Sequence, residues 1–178
     1  FLIPWSLGKE WASGADIAPT FKPIRGHNMA KAALENSLWD IEAQMNGIPL
    51  WKLLGGTLEE IPCGVSIGIQ NSVEELLEKI QRELDAGYQR IKMKIKPGWD
   101  IEVLDRVRSK FPRVALMADA NSAYTLADLP RLKLLDRFYL MMVEQPLGWE
   151  DLIDHAKLQR KIATPICLDE SIHGADDA

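Results

Sequence analysis

Cysteine is scarce in this sequence, with Cys63 and Cys167 the only two among 178 residues. Two cysteines so far apart do not provide the disulfide framework of a small secreted protein, and neither has the close neighbours of a zinc site. Cysteines outside disulfides are among the most buried residues, so we expect both to be reduced core thiols in a cytoplasmic protein.

Long apolar runs and clusters of basic residues are also missing. A membrane-spanning helix needs about 18 or more consecutive apolar residues, and the sequence contains no such stretch. The net charge is −5, and lysine is concentrated only in the string KMKIK (92–96). We therefore expect neither a membrane nor nucleic acid as a partner. Small metabolites are instead the expected ligands. Because 47% of the residues are apolar, the chain can bury a core.

Residues 1–58 have helical patterning and little strand pattern. Apolar residues recur at helical spacing from Asn28 to Met45, with Asn28 as the expected N-cap and Gly47 just beyond the end. A short helix is expected in PLWKLL (49–54), where two glycines follow. We interpret this part as the tail of a helical domain.

Residues 59–178 alternate between apolar, strand-like runs and helical segments. The five runs are PCGVSIGI, RIKMKI, VALMAD, YLMMVEQ and PICLDES. Continuous apolar runs are typical of parallel strands covered on both faces. Right-handed crossovers then allow a (β/α) barrel or a doubly wound sheet. The regular spacing, without a glycine-rich phosphate loop after the first strand, favours an α/β fold with about five βα units of an eight-stranded barrel.

Two details concern the helices between these strands. One helix is expected from about Thr125, although Pro130 makes its start uncertain because proline is tolerated only in the first turn. His155 lies between charged residues of another helix and is expected on the surface.

Four ionisable residues follow each other at equal intervals. Lys94, Asp119, Glu144 and Asp169 are separated by 25 positions each time, since 119−94, 144−119 and 169−144 all equal 25. Each one closes an apolar run, and the ends of successive parallel strands meet on one rim. We therefore expect one lysine and three carboxylates to lie together there.

Three carboxylates that converge at the ends of apolar strands are costly to leave unpaired, so they predict a bound divalent cation. Oxygen ligands select a hard ion, which favours Mg²⁺, or Mn²⁺ in its place, over Ca²⁺. The alternative is that Lys92 and Lys94 pair with the carboxylates, which would satisfy two of the three charges.

Lys92 and Lys94 are two residues apart and so point to the same face of their strand. Their mutual repulsion and their burial predict a lowered pKa for one of them. Lys94, nearer the end of the strand, is the better candidate for a base. A base beside a metal ion suits the removal of a proton α to a carboxylate, because the cation can stabilise the enediolate that forms. The alternative is that both are rim lysines paired with acids.

Four short strings occur in a characteristic order: KMK (92–94), DAN (119–121), EQP (144–146) and LDES (168–171). In this combination they resemble the enolase superfamily, in its muconate-lactonizing subgroup. The longer strings GHNMAKAALENSLWDIEAQMNGIPLWKLLGG, IKPGWD, DANSAYT and TPICLDESI resemble the o-succinylbenzoate synthase and N-succinylamino acid racemase branch. The resemblance covers nearly the whole chain.

The resemblance implies roles for particular residues. The Mg²⁺ ligands would be Asp119, Glu144 and Asp169. Lys94 would be the acid/base, and Lys92 an electrostatic partner of the enolate.

Three further positions would support this chemistry. Asn121 and Ser66 would touch the substrate, and Glu170 would lie beside a ligand without binding the ion. Residues 1–58 would be the C-terminal, helical part of an α+β capping domain, and residues 59–178 the first half of the catalytic barrel.

The implied activity is the dehydration of a cyclohexadiene carboxylate to o-succinylbenzoate, on the menaquinone route. The nearest alternative is racemisation of N-succinyl- or other N-acylamino acids, which needs a second acid/base on a strand beyond this chain. A third possibility, of another class, is a non-catalytic fragment or remnant. We expect the chain to be a segment of a longer, homo-oligomeric protein that acts on a small-molecule carboxylate.

Overall fold

The computed structural model describes residues 2–174 and 177–178. The chain divides into two compact units, residues 1–61 and residues 62–178. The domain boundary expected after residue 58 lies close to this division but remains a prediction. Within the described ranges, no helix is long and apolar enough to cross a membrane.

The first unit contains helices and, among its described residues, no strand. Its elements are α1 (Leu2–Ser6), a 3-10 turn (Gly14–Asp16), α2 (Ile17–Phe21), α3 (Asn28–Met45) and α4 (Leu50–Leu53). Leu2, Ile17 and Phe21 form its small buried core. Helix α3 has the predicted extent, but its N-cap is His27, whose backbone is left-handed with φ 56°. The prediction that Asn28 is the N-cap is therefore wrong by one residue.

The second unit is a parallel sheet whose strands alternate with helices. The strands are β1 (Gly64–Ile67), β2 (Arg90–Lys94), β3 (Ala115–Asp119), β4 (Val143–Glu144) and β5 (Ile166–Cys167). Their spatial order is β1-β2-β3-β4-β5, and all four neighbouring pairs are parallel. A doubly wound sheet reverses its strand order at a switch point, whereas this order runs in one direction, as in a barrel. The prediction of part of a (β/α) barrel is confirmed.

The crossover helices are α5 (Val73–Asp85), α6 (Ile101–Lys110), α7 (Leu129–Leu132) and α8 (Leu152–Gln159). Ser72 caps α5 by accepting a hydrogen bond from the Glu75 N–H at 3.1 Å. The helix expected from Thr125 is instead divided, because 3-10 turns at Leu126–Asp128 and Lys133–Phe138 flank the short α7. Pro130 lies in the first turn of α7, the place where proline is tolerated.

Alternate residues of each strand point to opposite faces of the sheet. In β2, Ile91 and Met93 are fully buried in the core, whereas Lys92 and Lys94 are only half-buried. The core between the sheet and the helices includes Ile67, Leu76, Ile80, Ile91, Met93, Leu104, Leu116, Val143 and Leu158. The helix-facing side of the sheet is therefore apolar, and the polar residues are left on the opposite face and at the strand ends.

Asp100 is a structural carboxylate at the start of α6. Its side chain is buried, accepts a hydrogen bond from the Ile101 N–H at 2.7 Å and from the Tyr124 hydroxyl at 2.9 Å, and pairs with the Arg131 guanidinium. Burial raises the pKa of Asp100, but the hydrogen bonds from Arg131, Ile101 and Tyr124 outweigh burial and leave this pKa below its usual range. The charged form of Asp100 thus stabilises the fold.

We expect Asp100→Ala in the full-length protein to lower the free energy of unfolding at pH 7 by about 2–3 kcal/mol. The folded-state pKa is depressed, so this contribution is present above about pH 4 and disappears as the pH falls through the folded pKa. Urea unfolding at pH 7 and at pH 3 measures both effects. Asp105→Ala is the matched control, because Asp105 is an exposed carboxylate of the same helix, 3.7 Å from Arg137. Equal losses in the two variants would contradict this role of Asp100.

Candidate active site

Three of the four equally spaced residues lie side by side at the carboxyl ends of adjacent strands. The Cα register pairs Lys94 with Asp119 and Asp119 with Glu144. The spacing of 25 therefore corresponds to neighbouring positions across β2, β3 and β4, as the sequence predicts. Asp169 differs, because β5 ends at Cys167, and Asp169 lies two residues beyond that end in an exposed position.

The carboxylates of Asp119 and Glu144 are buried and paired with lysines. Lys92 Nζ lies 2.7 Å from Glu144 Oε1 and 3.0 Å from Asp119 Oδ2. Lys94 Nζ lies 2.6 Å from Asp119 Oδ2. The structure thus contains the ion pairs that the sequence allows as the alternative to a metal, and these pairs gather both lysines and two carboxylates at one point of the rim.

The local charges shift the pKa values of this cluster. Burial raises the pKa of Asp119, but hydrogen bonds from Lys94 and Lys92 outweigh burial and lower it. Burial raises the pKa of Glu144, and although Lys92 opposes this, the nearby charges of Asp119 and Asp169 raise it further.

Lys92 is not the lysine of the pair whose pKa is lowered. Burial does lower the pKa of Lys92, but hydrogen bonds to Glu144 and Asp119 outweigh burial and raise this pKa above its usual value. The carboxylates of the next two strands, whose pairing with the lysines is the alternative that the sequence allows, have the opposite charge to Lys92 and determine the direction of its pKa shift.

The residues that would hold a metal come together only in part. Within residues 2–174 and 177–178, no group of three His, Cys, Asp or Glu side chains is close enough to hold a metal ion. Asp119 and Glu144 do converge, and the cation that both of them contact is the Lys92 ammonium. Two buried carboxylates around one positive charge fit the donor chemistry of a hard divalent cation. The three-ligand site remains a prediction.

Asn121 contacts Lys94, and Glu170 from a different loop contacts Asn121. Lys94 Nζ donates a hydrogen bond to Asn121 Oδ1 at 2.6 Å, and Asn121 Nδ2 donates to Glu170 Oε1 at 2.9 Å. A carboxylate can only accept, so Glu170 fixes the Asn121 amide with its oxygen towards Lys94. The buried Glu170 Oε2 has no hydrogen-bond partner in the described part of the chain. Substrate contact by Asn121 stays a prediction, but its side chain does lie at the predicted base.

The backbone brings Asn121 there by a turn that follows β3. The strand ends at Asp119, and Asn121 has φ 42°. Asn is one of the residues that tolerate this left-handed conformation. The Asn121 N–H turns back to Asp119 Oδ1 at 3.1 Å, so the turn, and not the pleat of a strand, sets its position.

Ser66 lines a small cavity on the inner face of the sheet. It is exposed and lies opposite Lys92 in the register of β1 and β2. The cavity has a volume of about 270 Å³, and its lining also includes Lys92, Met117 and Glu144. Ser66 therefore faces the space beside the ion pairs, and its contact with a substrate remains a prediction.

Two expectations about single residues are wrong. His155 is buried, and both ring nitrogens have partners. Its Nε2 accepts a hydrogen bond from the Leu147 N–H at 3.2 Å, and its Nδ1 donates to the Asp151 carbonyl at 2.6 Å. It supports the loop after β4. Cys63 was expected in the core and is exposed, since it precedes β1 rather than lying within it.

Gln145 is a residue of this site to which the sequence analysis gave no role. It follows Glu144 directly, is fully buried, and hydrogen-bonds the backbone that carries Asp169. Its place in the string EQP, immediately after a predicted ligand, was the feature that could have indicated it. Contacts that depend on the path of a later loop are not visible from residue spacing.

Two family models match the chain. Residues 75–178 match the enolase C-terminal domain-like family, and residues 14–55 match the N-terminal domain of mandelate racemase and muconate lactonizing enzyme. The two matches lie in the second and the first compact unit, respectively.

Curated relatives match over the full chain. An o-succinylbenzoate synthase of Geobacillus kaustophilus is 57% identical over 100% of this chain and 48% of its own length. An N-succinylamino acid racemase of Thermus thermophilus is 52% identical over 99% of this chain and 48% of its own length. The chain thus spans about half the length of these relatives.

Solved structures also match nearly the whole of this chain and about half of their own length. A member of the enolase superfamily from Listeria innocua superposes with a TM-score of 0.91 at 45% identity, over 99% of this chain and 47% of the other. A racemase from Streptomyces coelicolor with bound magnesium superposes with a TM-score of 0.84 at 27% identity, over 96% of this chain and 52% of the other.

Proposed function

Because this chain belongs to the enolase superfamily, in its branch of o-succinylbenzoate synthases and N-succinylamino acid racemases, we propose that the full-length protein removes a proton α to a carboxylate. The proposed activity is the dehydration of a cyclohexadiene carboxylate to o-succinylbenzoate, a step of menaquinone biosynthesis. The observation that carries the proposal is the cluster in which Lys94 Nζ lies 2.6 Å from Asp119, on the same rim as Glu144.

The carboxylates of the rim supply the negative charge for a cation. Asp119, Glu144 and Asp169 would hold Mg²⁺, which supplies fixed positive charge where negative charge develops on the substrate carboxylate. Asp119 and Glu144 are buried, so few water molecules surround them and their charge is weakly screened. Mn²⁺ would suit the same oxygen ligands.

The two lysines have different surroundings, which supports different roles. Lys94 lies beside Asp119 and Asn121 at the end of β2. After the Lys94 ammonium gives up a proton, the neutral amine can take a proton from a substrate carbon placed above the rim. In a dehydration, the same group can then return the proton to the departing hydroxyl. Lys92 lies two residues earlier in β2, between Glu144 and Asp119, and would contribute positive charge below the substrate.

Racemisation of N-succinylamino acids is the second candidate. The observation in its favour is the 52% identity to the Thermus thermophilus racemase, which is close to the 57% identity to the Geobacillus kaustophilus synthase. Both reactions begin with the same proton removal. They diverge at the second acid/base and in the capping part, so the residues described here serve either reaction.

The remaining parts of the proposal concern the whole protein. We propose a small-molecule carboxylate as the ligand, and a homo-oligomeric protein in the cytoplasm. The acidic net charge of −5 supports a partner other than nucleic acid.

In the test, the purified full-length protein is incubated with Mg²⁺ and with one class of substrate at a time. We expect formation of o-succinylbenzoate from the cyclohexadiene carboxylate, followed by its ultraviolet absorbance. N-succinylamino acids are followed by the change in optical rotation. Turnover of the amino acids alone would assign the racemase activity, and turnover of neither would support a non-catalytic remnant.

A further inference from the structure

Gln145 connects the three loops that carry the polar residues of the rim. It is fully buried and has φ 39°, a left-handed backbone conformation that is uncommon for a residue with a side chain. Its backbone N–H donates to the Cys167 carbonyl at 2.8 Å, and its carbonyl accepts from the Ser122 N–H at 2.8 Å. The loops after β3, β4 and β5 therefore meet at one residue.

The side chain of Gln145 uses both ends of its amide. Oε1 accepts from the Asp169 N–H at 2.9 Å and from the Ser171 N–H at 3.3 Å. Nε2 donates to Ser171 Oγ at 2.8 Å and to the Leu147 carbonyl at 3.3 Å. Ser171 Oγ in turn donates to the Trp149 carbonyl at 2.7 Å. If the Gln145 amide were turned by 180°, Nε2 would face the two N–H donors, and the hydrogen bonds to Asp169 N–H and Ser171 N–H would be lost.

Asp169 depends on these contacts because no strand holds it. The ladder between β4 and β5 ends with the pair Glu144 and Cys167, and Asp169 lies beyond it. Its backbone N–H is held by the side chain of the residue that directly follows Glu144. The distance between the Glu144 and Asp169 backbones is thus set through Gln145.

We propose that Gln145 is a positioning residue, which places Asp169 relative to Glu144 so that the two carboxylates can bind one divalent cation. This inference rests on the proposed function. It assigns no contact with the ion to Gln145. Partners of this kind, which orient a metal-binding residue without touching the metal, typically change metal affinity by about 10–100-fold when they are mutated.

The chain offers a matched control at the other end of β5. The Gln159 side chain also ties the backbone of β5, since its Oε1 accepts from the Ile166 N–H at 2.7 Å and its Nε2 donates to the Thr164 carbonyl at 3.2 Å. These contacts lie at the start of β5, at the end of the strand away from the rim. A purely structural contribution to β5 would be shared by the two glutamines, whereas positioning of Asp169 belongs to Gln145 alone.

The experiment compares Gln145→Met and Gln159→Met in the full-length protein, with the Mg²⁺ dissociation constant from calorimetry and the melting temperature as separate readouts. Methionine keeps approximately the volume of glutamine and removes its hydrogen bonds. We expect Gln145→Met to weaken Mg²⁺ binding by about 10–100-fold, and Gln159→Met to change it by less than about twofold. Equal Mg²⁺ affinity in Gln145→Met and the wild type would overturn the inference, as would equal losses in both variants.

A second variant decides the question if Gln145→Met does not fold. Ser171→Ala removes the hydroxyl that accepts from Gln145 Nε2, and we expect a smaller loss of Mg²⁺ affinity, about threefold. Unchanged affinity in this variant would overturn the inference. Failure of the proposed function gives a different result, since the wild-type protein itself would then bind no Mg²⁺, and both proposals would fall together.

Discussion

Lys94→Ala in the full-length protein is expected to slow the exchange of the substrate α-proton with solvent deuterium by about a thousandfold. Lys94 Nζ is the amine nearest the end of β2, within 2.6 Å of both Asp119 and Asn121. Alanine removes the group that takes the proton. The exchange is followed by proton NMR in D₂O with Mg²⁺ present, which also detects proton removal that does not lead to product.

Two further variants separate proton transfer from charge. Lys94→Arg keeps the positive charge beside Asp119, but arginine does not lose its proton in proteins, so exchange should fall nearly as far as in the alanine variant. Lys96→Ala is the control, because Lys96 is an exposed lysine two residues further along. Exchange within about tenfold of the wild type in Lys94→Ala, or an equal loss in Lys96→Ala, would refute the assignment of the base. No exchange in the wild type would favour the remnant.

Glu144→Gln is expected to weaken Mg²⁺ binding by about a hundredfold or more, since loss of a ligand should cost at least as much as loss of a residue that only supports one. Glutamine keeps the size of the side chain and removes the charge. The α-proton exchange should be lost with the metal, and chelation of the wild-type protein should abolish the exchange until Mg²⁺ is restored. Calorimetry and the NMR assay measure the two effects on the same samples.

Glu74→Gln is the matched control for Glu144→Gln. Glu74 is an exposed carboxylate on α5 that also forms an ion pair, with Arg106 at 2.9 Å. Loss of an exposed pair should leave Mg²⁺ affinity and exchange unchanged. If Glu144→Gln binds Mg²⁺ as tightly as Glu74→Gln does, Glu144 is not a ligand.

The regular part of this fold could be predicted from the sequence. Continuous apolar runs with intervening helical stripes indicated parallel strands, and the sheet has five of them in sequential order. The spacing of 25 predicted that Lys94, Asp119 and Glu144 would be neighbours, which the strand register confirms. Each of these inferences depends only on local periodicity and on the geometry of parallel strands.

The loops could not be predicted in the same way, because their backbone leaves the strand period. Asp169 follows the same spacing as the other predicted ligands but lies beyond the end of β5, so spacing alone overstated its regularity. Asn121 reaches Lys94 by a left-handed turn. The role of Gln145 depends on a hydrogen bond to a residue 24 positions later in the chain, which no local pattern contains.

The charges of the site show a further limit of arguments from one strand. Lys92 and Lys94 share a face, and in isolation they would lower each other's pKa. Across the sheet, however, Asp119 and Glu144 contact Lys92 directly, so its pKa is raised instead. The relative strength of these opposing effects depends on distances between strands.

The most direct measurement is a crystal structure of the full-length protein grown with Mn²⁺, with the ion located by its anomalous scattering. We expect one ion bound by carboxylate oxygens of Asp119, Glu144 and Asp169, at distances of about 2.1 Å, with Lys92 Nζ displaced from between the first two. No ion at this rim, with Lys92 still joining Asp119 to Glu144, would contradict metal-assisted proton removal by this protein.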